Sequence, residues 1–418
     1  MTEQAASISR RAWLVVVLLI PVALLNYLDR QMLASMKFSV MADVPGIDNE
    51  ADWGKILALF KWTYAILSPI GGYLADRFSR RHVVAGSLLV WSIVTWATGH
   101  VQTYDQLLLT RAVMGISEAF YIPAALALIA DFHKGPTRSR AVGFHQMGIY
   151  VGVIIGGFSG HVADNPALGW RWAFDTAGIV GILYAFPLFF LLKNPERPLE
   201  TAPKASPGGA LKELLANRSF LLMVMYFTLP ALAGWVVRDW GPSILKSEFS
   251  ISQGKAGVSA TLYWQVAAIA GAIIGGWLAD RWMRTSQRGR IHTSAIGMAL
   301  VVPAMLGFGY APQTGLLWLA IGFLILFGIG YGMFDSNNMP ILCQIARPEL
   351  RATGYGIMNL VSISCGGLAD WGFGALRDRH VTMFTIFGVF AAVAVLSIVI
   401  VLMIRPSHTD TGPAPIGH

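Results

Sequence analysis

GGYLADRF (71–78) and GGWLADRW (275–282) are near copies, 204 residues apart in a chain of 418. Each copy ends an apolar stretch long enough to be a helix. Basic residues follow each. A repeat at about half the chain length predicts two similar halves in tandem. A second echo agrees: RAVG (140–143) and RATG (351–354) open corresponding segments.

The surroundings of the repeats suit lipid. Hydrophobic residues make up 55% of the chain and charged residues only 13%, against about 25% charged in soluble domains. A membrane span needs about 20 mostly apolar residues. Twelve segments qualify: 12–36, 55–76, 82–100, 104–132, 139–163, 173–193, 219–247, 256–281, 290–311, 314–344, 350–377 and 382–404. Six precede and six follow the polar stretch KNPERPLETAPKASPGGALKELLANRS (193–219). The expectation is an all-α membrane protein of twelve transmembrane helices. Residues 1–193 form one six-helix bundle and 194–218 a cytoplasmic linker, in which ALKELLAN makes a short surface helix. Residues 219–418 form the second bundle with a short tail.

The basic residues orient it. With the N-terminus inside, 20 of the 31 Lys and Arg fall on the inner side and 7 on the outer. Inner loops are enriched in Lys and Arg, so both termini are expected in the cytoplasm, at a cell inner membrane. The first apolar segment is too long for the core of a cleaved leader and is read as a retained span. The net charge of +8 is spread between apolar segments, without interleaved aromatics. Nucleic acid is therefore not an expected partner; the lipid bilayer is. Cys343 and Cys365 lack metal-ligand spacing. Neither HExxH nor GxSxG occurs, so no enzyme, metal or cofactor is expected.

Four basic residues remain inside the spans: Arg30, Lys61, Arg111 and Arg238. A charge there is costly and usually faces a cavity, pairs up, or marks an ion or solute path. In LLNYLDRQML (24–33), Asp29 and Arg30 sit about seven residues from the outer end of the first span. At about 1.5 Å rise per residue, Arg111 and Lys61 share that layer, so Asp29 is placed to pair with Arg111. Glu118 lies two turns from Arg111 on the same face and nearer mid-membrane. A bare carboxylate is costly at that depth, which makes Glu118 a candidate to hold and exchange a proton. Asn26 extends the polar face of the first span. Tyr64 and Gln146 offer hydrogen bonds from the second and fifth.

The first repeat resembles the loop signature of the major facilitator superfamily, G-x-L-A-D-R-x-G-R-R. It matches at Gly72, Leu74, Ala75, Asp76, Arg77, Arg80 and Arg81, with Ser79 in place of a Gly. Asp76, Arg77 and Arg81, with Asp280 and Arg281 of the second copy, are read as gating or structural residues. The resemblance implies parallel repeats, alternating access and a monomer. NYLDR in the first span and R-x-x-x-G-x-x-E-A in the fourth (Arg111, Gly115, Glu118, Ala119) resemble the anion:cation symporter family, as does GWRW (169–172). That resemblance covers the N-terminal half well and the C-terminal half loosely. It implies that Arg30 binds the carboxylate of a sugar acid or similar anion. Asp29 and Glu118 would carry protons, and Tyr64 and Gln146 would line the site. GIYVGVIIGG (148–157) resembles the superfamily's antiporter motif, but Val153 replaces its Pro, which favours symport.

The C-terminal half departs from that pattern. Arg238 and Asp239 lie at a depth comparable to Asp29 and Arg30, and either tailor solute choice or pair with each other. FDSNNMP (334–340) puts Asp335, Asn337 and Asn338 in the tenth span, where such polarity suits a cavity better than lipid. His145 titrates near neutral pH in water, but it also reads as a hydrogen-bonded packing residue. Glycines 148, 152, 156 and 160 form a stripe; with Ala267, Gly271 and Gly275 they predict a contact between the halves. Two functions compete. One is proton-coupled symport of a small organic anion. The other is transport of amphipathic molecules, because spinster-like lysolipid and sphingolipid transporters also resemble the NYxDR stretch and the fourth-span Glu.

Overall fold

The computed structural model describes residues 2–133, 137–193, 207–347 and 350–406, and the side chains of 2–9, 72–77, 139, 207, 208 and 210 lie outside it. All the regular secondary structure it describes is helical. The chain runs α1 (Thr2–Ser35), α2 (Lys37–Asp43), α3 (Glu50–Arg77), α4 (Arg80–Thr98), α5 (Tyr104–Glu118), α6 (Tyr121–Phe132), α7 (Arg138–Asp164) and α8 (Gly169–Leu191). It continues with α9 (Pro207–Ala216), α10 (Arg218–Phe249), α11 (Gln253–Met283), α12 (Gly289–Thr314), α13 (Leu317–Ile345), α14 (Arg351–Asp378) and α15 (Met383–Met403). The expected surface helix in the linker is α9. Among the described residues nine segments are long and apolar enough to cross a membrane. α3, α4 and α14 are not among them; α14, for instance, carries Asn359, Ser362, Ser364 and Asp370.

Local chemistry sets the helix ends. Thr103 and Thr382 accept hydrogen bonds from the backbone N–H of Gln106 and Thr385, capping α5 and α15. α12 stops at Gly315, whose φ of +67° suits glycine. The expected fourth span is broken into α5 and α6. Pro123 explains the break: it has no N–H to offer the carbonyl four residues earlier, that of Ala119, and its ring crowds it. Glu118 is thus the last residue of α5.

Two compact units emerge. Among the described residues, the first comprises those up to 193 with 236–262 and 366–380; the second comprises those in 207–235, 263–365 and 381–406. In the first, Val15, Leu19 and Ala23 of α1 pack with Leu88 and Trp91 of α4, Tyr121, Ala124 and Leu128 of α6, and Leu188 of α8. Large apolar side chains also point outward, such as Leu183 and Phe190 of α8, 64% and 77% exposed. A surface of that kind is lipid-facing.

The glycine stripe packs differently from the expectation. A Cβ on Gly148, Gly152 or Gly156 would collide with α1 at Ile20, Leu24 and Leu28, so the stripe brings α7 onto α1 within one half. Only Gly157 and Gly160 meet α11, at Thr261 and Gln253. Gly271 and Gly275 face Ile329 and Met333 of α13 instead. Helix contacts in lipid rest on close van der Waals approach, and glycine permits it wherever two backbones meet.

At the end remote from the 71–78 loop, the first unit ties segments distant in sequence. Gln253 accepts from the backbone N–H of Phe38. Asp378 accepts from the N–H groups of Glu50 and Ala51 at 2.9 and 2.8 Å, capping α3. Arg377 donates to Glu248 at 2.7 Å. Arg171 of the GWRW stretch donates to Asp43 and to the carbonyls of Gly99 and Val101, fixing α2 beside α8.

Candidate functional site

The N-terminal spans bury a connected polar cluster. Arg30 Nε donates to Glu118 Oε2 at 2.6 Å, and Arg30 Nη2 meets the same carboxylate oxygen. Nη2 also donates to Asn26 Oδ1 at 3.1 Å. Glu118 is fully buried, whereas the Arg30 side chain keeps 16% of its surface exposed. The rings of Tyr27, Phe60 and Tyr64 lie 4.7, 4.7 and 5.0 Å from the Arg30 guanidinium carbon. This aromatic collar holds the planar group in one orientation. Close packing of α3 on α5 makes it possible, since Gly115 of α5 presents no side chain to the Phe60 carbonyl and Thr63.

Asp29 and Arg111 are both buried, but they do not form the expected direct ion pair. Each is bonded to α4 instead. Thr95 donates to Asp29 at 3.0 Å, and Arg111 donates to Thr98 at 3.0 Å. Because Thr95 and Thr98 are three residues apart on one helix face, the two charges are bridged through a polar strip. Arg30 pairs with Glu118 instead. Several atoms remain buried without a partner: Asn26 Nδ2, Asp29 Oδ1, Arg111 Nε and Glu118 Oε1. Buried polar atoms are seldom left that way, so the cluster retains unused bonding capacity.

Other expected residues are placed as follows. Gln146 is half-buried on α7. His145 Nε2 lies 2.8 Å from the Tyr121 hydroxyl, which is 3.2 Å from the Leu19 carbonyl. If the hydroxyl donates to the carbonyl, the imidazole must donate to the hydroxyl, and His145 is a bonded packing residue. Asp239 accepts from Lys61 rather than serving Arg238. The Arg238 carbonyl accepts from Gln31 at 3.3 Å, and its guanidinium lies 5.9 Å from the Tyr27 ring.

Within the second unit, the polar run of α13 divides. Asp335 is exposed, while Asn337 and Asn338 are buried. Asn337 donates to the Met333 carbonyl at 2.9 Å, and neither amide atom of Asn338 has a partner. Asp280 and Arg281 are exposed at the end of α11, with Arg281 5.6 Å from the Trp277 ring. Arg81 is half-buried and donates to the ring of His82. The Asp76 and Arg77 side chains lie outside the described residues. At the start of α4, Arg80 donates to Asp131 and to the Ala127 carbonyl.

Asp370 was missed by the sequence reading. It is fully buried on α14 and shares Lys61 with Asp239. The signal was available: Asp370 lies about seven residues from the end of its span, the depth already assigned to Lys61.

The Major Facilitator Superfamily model matches residues 19–369. Spinster homolog 1 of Xenopus laevis is 27% identical over 381 residues, covering 84% of this chain and 70% of that protein. The spinster protein of Drosophila melanogaster is 28% identical over 378 residues. That match covers 87% of this chain and 61% of the fly protein, so the chain spans under two thirds of that relative. Among solved structures, a bacterial homolog of the human lysosomal transporter Spinster, inward-facing and unoccupied, superposes with a TM-score of 0.75 at 19% identity. The superposition covers 94% of this chain and 95% of that one, and this likeness shows the fold.

Proposed function

The chain belongs to the Major Facilitator Superfamily and is a multi-pass membrane transporter. From that premise we propose that it carries a small organic anion, such as a sugar acid, together with protons by alternating access. The Arg30–Glu118 pair carries this reading. A guanidinium already gripping a buried carboxylate has the geometry to grip a carboxylate on a solute. The solute and Glu118 compete for Arg30. Once displaced, Glu118 is a bare buried carboxylate, and taking up a proton removes that cost. Binding of the anion and of the proton are thereby linked.

In this reading Asp29 is the second proton carrier and Arg111 stabilises the layer. Asn26, Tyr64 and Gln146 orient the solute, and the polar run of α13 contributes to its choice. Protons are the coupling ions and no cofactor takes part. The working unit is a monomer built from halves 1–193 and 219–418 joined by the 194–218 linker. It sits in a cell inner membrane with both termini cytoplasmic. The loop residues Asp76, Arg77, Arg81, Asp280 and Arg281 steady the switch between states.

The spinster relatives favour a second reading, a spinster-like transporter of lysolipids or other amphipathic molecules. A lysolipid phosphate also suits Arg30, so the readings differ in the rest of the solute. Uptake into proteoliposomes of labelled sugar acids and lysophospholipids, with and without a pH gradient, tests both. Gradient-driven accumulation of sugar acids supports the first reading. Movement of lysophospholipids alone replaces it with the second, and indifference of all uptake to the gradient removes proton coupling.

A further inference from the structure

Outside the Arg30 site, one buried cluster in the first unit carries more negative than positive charge. Lys61 of α3 donates to Asp239 of α10 and to Asp370 of α14. Lys61 and Asp370 are 3% and 0% exposed, and the Asp239 side chain is 14% exposed. Asp370 Oδ1 is buried with no hydrogen-bond partner. Because one ammonium contacts both, the Asp239 and Asp370 carboxyls are crowded together around Lys61 Nζ. The helices carrying the cluster pack tightly. Gly54 of α3 faces the Asp370 carbonyl, and Gly367 of α14 faces the Ala58 carbonyl and Trp62.

The neighbouring charges are occupied elsewhere. Arg30 of α1 is held by Glu118, and Arg238 lies beside Tyr27. Lys37 is held by Glu50 and Arg377 by Glu248. Asp378 caps α3. Among the described residues, the ion pairs of Asp370 and Asp239 are both made with Lys61. With both carboxylates ionised, the cluster would bury one uncompensated negative charge and set two like charges together. Two carboxyls crowded onto one lysine avoid that cost by holding one proton between them.

We propose that Lys61, Asp239 and Asp370 form a second proton-binding site, which holds one proton while the ends of α10 and α14 are packed on α3 and releases it when they part. Parting admits water, both carboxylates are then solvated as anions, and the proton leaves to solvent on that side. No covalent bond changes. Acid on that side therefore favours the packed arrangement. The site also neighbours the anion site. Phe60 and Tyr64 of the collar flank Lys61 on α3, and Tyr27 stands between Arg30 and Arg238. The inference concerns a conformational proton, so it holds whichever solute is carried.

Spin labels at the exposed positions Asp48 and Arg379 read the separation of these ends in the purified protein. Glu118→Gln serves as host, so that Glu118 contributes no proton. The separated population should grow as pH rises, its ratio to the packed one changing by at most about tenfold per pH unit for one linked proton. Adding Asp370→Asn, or separately Asp239→Asn, should flatten that response. A pH response unchanged by a folded Asn variant overturns the proposal. So does a host protein with no pH response, even if neither Asn variant folds. The measurement uses no solute, so its failure is distinguishable from failure of the transport reading.

Discussion

Arg30 of α1 and Glu118, the last residue of α5, form a buried ion pair across 88 residues of sequence, with Nε 2.6 Å from Oε2. The full burial of Glu118 makes the two members hard to replace independently. Removing one partner of a buried pair leaves the other uncompensated, at a cost of about 3–5 kcal/mol.

Arg30→Ala should abolish solute binding and transport. Arg30→Lys supplies a point charge without the planar fork and should weaken binding about 10- to 100-fold, the worth of a charge-assisted bond. Equilibrium binding to purified protein checks both. Wild-type affinity in Arg30→Ala would dismiss the anion-site assignment.

Glu118→Gln mimics the protonated acid. It should keep solute exchange in counterflow yet lose accumulation driven by a pH gradient. Measuring both in the same proteoliposomes separates them. Full gradient-driven accumulation would take Glu118 off the proton path and leave Asp335 as the next candidate.

Asp29→Asn should also lose driven uptake, and it removes the anion opposite Arg111. The threonine strip makes a further distinction. Thr98→Val takes away the acceptor of Arg111 and should lower stability by about 1–3 kcal/mol, the cost of an unsatisfied buried polar group. Melting of the detergent-solubilised protein reads this out. An unchanged melting temperature would mean that the bridge contributes little.

Gly152→Ala should destabilise by about 1–3 kcal/mol through overpacking, because its new Cβ would press into the Leu24 carbonyl. Gly143→Ala, with open space around it, is the matched control and should melt like the wild type. Equal melting of the two variants would contradict the α1–α7 contact.

The sequence made the fold legible through duplication: a motif repeated at half length with a polar divider is a topological statement. Membrane burial was legible through composition, since lipid tolerates few charges. Pairing was less legible. The depth estimate placed Asp29, Arg30, Lys61 and Arg111 in one layer correctly enough to suggest partners. It treated each residue as a point on its helix axis, however. Arginine and lysine reach about one helical turn, and helical side chains lean toward the N-terminus. Arg30 therefore meets Glu118, and Lys61 meets Asp370, while Asp29 and Arg111 each bond to a threonine of α4. The glycine stripe is plain in the sequence, but three of its four members meet α1 and only Gly160 meets α11, because small residues at four-residue spacing say that a backbone comes close without saying whose. The break after Glu118 was encoded by Pro123, which the continuous apolarity of 104–132 concealed.

The α1–α7 contact has a mechanical consequence. Gly148, Gly152 and Gly156 let the carbonyls of Ile20, Leu24 and Leu28 seat directly against α7, with no α7 side chain between to act as a bearing. Sliding one helix along the other by less than a full turn would drive carbonyl oxygens into Cα atoms, and packed interfaces of this kind change in discrete jumps rather than by gradual slip. Asn26, Asp29 and Arg30 on one helix and Gln146 on the other are therefore bolted to a single lever. Whatever swings during turnover, these groups swing together, and the spacing among them is as constant as the spacing of teeth on one gear.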